Sequence, residues 1–103
     1  MLDKEGYPTD KTLQKLRQLN PFHQPIKEII ETIIGNWYGD AAVYDAHRQT
    51  LELHTEGWSG NEDAIAAIRD SGFWMLFWQS TVRGGHYYFV DIKPPENSTK
   101  WGV

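Results

Sequence analysis

Glu52 and His54 stand two residues apart within 49–55, and His86 follows much later, directly behind Gly84 and Gly85. On a strand, residues i and i+2 share a face, so this carboxylate and imidazole point the same way. A neighbouring strand carrying His86 would bring all three together. Two imidazoles and a carboxylate are the ingredients of a zinc or iron site, and a carboxylate beside a histidine can also serve as an acid–base pair. Neither an HExxH nor an HxH spacing accompanies the set. A small metal-dependent hydrolase built on Glu52, His54 and His86 is therefore one reading, ranked behind the two developed below.

Two further groups carry polar chemistry. Gly57-Trp58-Ser59-Gly60-Asn61-Glu62 precedes an apolar stretch with helical spacing. Unpaired amides at a helix start attract anions, and Trp58 offers a stacking surface. The competing structural reading makes Ser59 and Glu62 a capping box and Trp58 a staple onto the core. Arg83-Gly84-Gly85-His86-Tyr87 reads as a hairpin tip. The turn accounts for the glycines but not for Arg83 and His86, and a guanidinium fork suits phosphate or carboxylate. Against this, Arg83 is explained equally well as solvated and His86 as an ordinary strand residue. Ser59 lacks a G-x-S-x-G setting, and no Walker-type or dinucleotide glycine pattern occurs.

These groups need elements to position them. Leu13, Leu16 and Leu19 mark a short amphipathic helix over 10–19, stopped by Asn20-Pro21. Ile26, Ile29, Ile30, Ile33, Ile34 and Trp37 follow a helical series over 25–38, with Pro25 at its first position and Gly39 as its cap. Residues 41–45 and 49–55 predict a hairpin, with Leu51, Leu53 and Thr55 inward. A helix over 59–71 buries Ala64, Ile65, Ala67 and Ile68 and closes at Gly72. Phe73, Trp74, Met75, Leu76, Phe77 and Trp78 form a nearly unbroken apolar run, which predicts a central strand over 73–81 covered on both faces. The last strand, over 86–92, sets His86, Tyr88, Val90 and Ile92 on one face and Tyr87 and Phe89 on the other. The order α-α-β-β-α-β-β predicts an α+β two-layer sandwich: a four-stranded, mostly antiparallel sheet with two or three helices. Residues 1–9 read as a loose lead-in, 10–93 as the single domain and 94–103 as a frayed tail.

Composition narrows the function classes. The chain has 103 residues, of which 40% are hydrophobic and 14% aromatic, including five Trp. Its net charge of −4 argues against duplex nucleic acid as the main partner. The absence of cysteine excludes disulfides, thiol nucleophiles and Cys-type metal sites. No apolar run reaches the ~20 residues of a membrane span, and residues 1–10 are too polar for a signal peptide, so a cytoplasmic protein is expected. The tryptophans exceed what packing requires, which suggests a ligand surface or an interface within a homo-oligomer.

Leu53-His54-Thr55-Glu56-Gly57-Trp58-Ser59-Gly60-Asn61-Glu62 resembles an LHTGGWSGNE signature, with Glu56 where a glycine is expected. Phe73-Trp74 with Trp78, followed by Arg83-Gly84-Gly85-His86-Tyr87, resembles an FW…W…RGGHY pattern. Together, over about 49–89, they resemble a family of small bacteriophage and prophage proteins. The resemblance implies a viral protein acting in the host cytoplasm as a host-takeover or anti-defence factor. The leading expectation is a non-catalytic binding protein, without cofactor or metal, that sequesters a small anionic or nucleotide-like ligand on His54, Trp58, Ser59, Asn61, Arg83, His86 and Tyr87. The alternative is an acidic inhibitor that covers a basic, nucleic-acid-binding surface of a host enzyme through Glu28, Glu31 or Asp63.

Overall fold

The structure, a computed structural model, describes residues 2–95. The predicted tail beyond residue 95 lies outside them. The element order is α1 (Asp10–Arg17), α2 (Ile26–Gly35), β1 (Ala42–Asp45), β2 (Thr50–His54), α3 (Ser59–Arg69), α4 (Gly72–Phe77), β3 (Trp78–Val82) and β4 (His86–Phe89). The four strands form one antiparallel sheet in the order β1-β2-β4-β3. The α+β architecture is the predicted one, with a fourth helix. None of the described helices is long and apolar enough to cross a membrane.

The alternation in β2 and β4 sets the two faces of the sheet. Leu51 opposes Phe89 and Leu53 opposes Tyr87, which points these four toward the helices. Leu51, Leu53 and Phe89 are fully buried and share one core with Leu16 and Leu19, with Ile29, Ile30 and Ile33 of α2, and with Ala64, Ile65 and Ile68 of α3. The other face carries Val43, Thr50, Glu52, His54, Ser80, Val82, His86 and Tyr88, none of them buried. It is an open, polar face.

The apolar run differs most from its expectation. Residues 72–77 form a helix, and only Trp78–Val82 is strand. Ser71 explains the difference: its Oγ accepts from the Trp74 amide and donates to the Ile68 carbonyl at 2.6 Å, capping a new helix straight after α3. Phe73 and Phe77 then share one helical face, both buried, with ring centres 5.2 Å apart. The strand that follows lies at the edge of the sheet, while β4 takes the central place beside β2.

Other differences are local. Gly72 opens α4 rather than closing α3. The predicted capping box does not form: Trp58 occupies the N-cap with no side-chain capping bond, and Ser59 Oγ donates to the Tyr7 hydroxyl instead. Helix α2 ends four residues before Gly39, because Asn36 caps it and returns its side-chain amide to the Thr32 carbonyl. Residues 2–9, expected to be loose, form a closed turn, with Asp3 Oδ1 accepting from the amides of Glu5 and Tyr7 and a bridge joining Leu2 to Pro8.

Candidate functional site

Antiparallel pairing places His54 directly opposite His86. Their Nδ1 atoms approach to 2.8 Å, with ring centres 5.0 Å apart. Glu52 Oε1 lies 3.3 Å from His54 Nε2. A carboxylate only accepts, so Nε2 of His54 carries the hydrogen in the neutral ring, and its Nδ1 accepts from Nδ1–H of His86. The backbone under His54 is held firmly: its amide donates to the Ala41 carbonyl at 2.9 Å, and its carbonyl accepts from the indole of buried Trp37 at 3.2 Å. Tyr88 closes one side, its ring edge-on to His54.

Strand pairing thus brings Glu52, His54 and His86 together, in a different relation from the predicted one. Glu52 engages the far nitrogen of His54, away from the Nδ1 pair. It supports a ring instead of standing as a third ligand. Among the described residues no group of three or more His, Asp or Glu side chains is arranged to hold a metal ion.

The remaining predicted ligand residues divide among other places. Arg83 is exposed at the hairpin tip beside this pair, where Gly84 and Gly85 take positive φ of 101° and 85°. Gly85 also accepts from the Thr55 amide at 2.9 Å, and a side chain there would overlap the Thr55 hydroxyl. Tyr87 lies on the helix-facing side of β4, against Trp74. Trp58 packs against Tyr7 and Tyr38, with ring centres at 4.9 and 4.7 Å, and its indole donates to the Gly6 carbonyl. Asn61 is buried, accepting from the Tyr38 amide at 2.9 Å and donating to the Tyr38 carbonyl at 3.0 Å. The loop therefore holds residues 2–9 and 38 in place, and both polar ends of the Asn61 side chain are used inside the fold.

A second region was missed because the apolar run reads as a covered strand. Half of the large hydrophobics that stand exposed among the described residues fall within eight positions: Met75, Leu76, Trp78 and Val82. Met75 is the extreme, at 85% exposure. They line the α4–β3 edge, where β3 has a strand neighbour on one side only. Trp74 and Trp78 stack nearly parallel at 5.7 Å, and the Arg69 guanidinium lies 5.2 Å from the Trp74 ring centre. The i, i+4 spacing of Phe73 with Phe77, behind Ser71, was the signal that could have revealed a helix whose other face is exposed. A separate apolar cavity of about 530 Å³ lies between α2 and the β1–β2 turn, lined by Ile26, Ile30, Tyr44 and Ile92 among others. None of the seven predicted ligand residues lines it.

No protein-family model matches the chain, and neither a curated protein nor a solved structure does. The viral, anti-defence and nucleotide-binding expectations thus gain nothing beyond the motif resemblance, and with Trp58 and Asn61 committed inside the fold they are withdrawn.

Proposed function

We propose that this protein is a protein-binding module that takes an extended, apolar segment of a partner along the free edge of β3. The observation that carries the reading is the uncharged edge itself. Trp78-Gln79-Ser80-Thr81-Val82 contains neither a charge nor a proline, the usual devices by which edge strands avoid pairing. A register irregularity between Trp78 and Ser80 is the one such device in the strand. Beside the edge stand Met75 and the Arg69–Trp74–Trp78 stack, and Met, Trp and Arg are the residue types enriched where binding energy concentrates. An added strand would satisfy the open backbone groups of β3 and cover these side chains.

The chemistry of the partner follows from charge. Residues 71–90 contain no Asp or Glu and are bounded by Asp70 and Asp91; Arg83 lies within them and Arg69 just before. A segment with alternating apolar side chains and acidic flanks fits this edge better than the basic surface expected for an acidic inhibitor. The test is selection from a displayed library of ten-residue peptides, followed by titration of the enriched sequences. Wild type is expected to enrich alternating apolar sequences with acidic ends, and the Met75→Asp/Val82→Lys variant is expected to lose them. Enrichment of the same peptides by both proteins, or of none by wild type, would end the proposal.

A further inference from the structure

We infer that the cavity between α2 and the β1–β2 turn binds a small amphiphile: an aliphatic chain ending in a single negative charge, of which a medium-chain carboxylate is the simplest. The inference is independent of the β3 edge, since none of the residues assigned to that edge lines the cavity. The volume of about 530 Å³ lies within the range of small-molecule pockets, roughly 300–1,000 Å³. The lining grades from buried Ile30 and Ile92, through half-buried Ile26, Tyr44 and Pro94, to side chains in full contact with solvent. An apolar chain therefore has an apolar interior to enter, and its polar end stays at the mouth.

Charge selects the polar end. Lys27, Lys93 and Glu31 are the charged residues of the lining, all three exposed, and among the described residues none of them forms an ion pair. Two ammonium groups against one carboxylate leave a single positive charge at the mouth, on a chain whose own net charge is −4. A monoanionic head matches that balance, and a cationic head opposes it. The wall facing α2 is fixed in advance. The Ile92 amide donates to the Gln49 carbonyl at 3.0 Å, and Gln49 and Asp91 hold positive φ of 59° and 53°. Side chains rarely adopt this backbone, and such conformations persist where the surrounding structure imposes them and gather at ligand sites. A wall already shaped leaves less freedom to be lost on binding.

The test is titration of the whole protein with decanoate, below its micelle-forming concentration, followed by NMR of labelled isoleucine methyl groups. Saturable shifts are expected at Ile26, Ile30 and Ile92, while Ile65 and Ile68 of α3 stay in place. Decyltrimethylammonium, which carries the same chain on a cation, is expected to bind on the order of tenfold more weakly. Lys27→Glu/Lys93→Glu weakens decanoate binding roughly tenfold, and Glu31→Gln tightens it about threefold. Ala46→Trp places a large ring at the exposed mouth and abolishes binding. Unchanged Ile65 and Ile68 signals establish that each variant is folded, and Glu31→Gln, a mild surface change that should strengthen binding, keeps the test open if another variant is not. Absence of saturable shifts with decanoate, equal binding of the cationic analogue, or decanoate affinity indifferent to all three charged residues overturns the site.

Discussion

Asn61 brackets the backbone of Tyr38 as a neighbouring strand would, with one bond accepted and one donated by a buried side chain. Truncation strands two polar backbone groups. Asn61→Ala is therefore expected to cost about 2 kcal/mol or more in urea unfolding. Asn61→Asp keeps the acceptor but cannot donate to the Tyr38 carbonyl, so it too destabilises; a neutral result for both would remove the bracketing role. Thr55 presents the opposite case. Its Oγ1 is buried without a hydrogen-bond partner, so Thr55→Val removes a desolvated hydroxyl at constant shape. The expected gain is about 1 kcal/mol, read as a higher urea midpoint at unchanged slope. Its neighbour Gly85 tolerates nothing larger: at φ +85° and with the Thr55 hydroxyl in the way, Gly85→Ala should lose about 2 kcal/mol. Of these roles, only the need for glycine in the hairpin was readable from residue order. Asn61 stands in a loop that reads equally well as a ligand site, because its partner at position 38 comes from another part of the chain.

Helix α4 shows how one cap redirects a whole segment. Phe73 through Trp78 has the apolar continuity of a buried strand, and the six residues of α4 are too few to be stable as an isolated helix. Two contacts settle the outcome: the Ser71 cap at its start, and the burial of Phe73 and Phe77 against Phe89 and the core. Ser71→Ala is expected to cost about 1 kcal/mol and to raise hydrogen exchange at the amides of 73–75 before the rest of the sheet responds. Uniform exchange across the molecule would mean that α4 does not open separately. Phe73→Ala should cost about 3–5 kcal/mol, since Phe73 is fully buried among aromatic neighbours. The longer elements were simpler to read. The isoleucine series of α2 and the alternation of Leu51, Leu53 and Thr55 each name a buried face; Ile29, Ile30, Ile33, Trp37, Leu51, Leu53 and Thr55 are buried, while Ile34 stands exposed at the margin of its stripe.

The molecule as a whole separates a helix-covered core from an open polar sheet face and an apolar edge. Its surface substitutions should therefore affect binding without affecting stability. Met75→Asp/Val82→Lys is expected to shift unfolding by no more than about 0.5 kcal/mol while abolishing capture of an apolar strand; a large loss of stability would instead assign these residues to the fold. Composition, periodicity and turn residues were enough to define an α+β sandwich, its β1–β2 hairpin and most of its core, because each of these follows from local spacing: 3.6 for a helix face, 2 for a strand face, glycine where φ turns positive. Which strand is central and which is an edge depends on pairing between distant segments, and local pattern carries no record of it. The same holds for the site. The sequence set His54 and Glu52 on one strand face, but only the β2–β4 register brought His86 opposite His54, sent Tyr87 to the other side and left β3 uncovered.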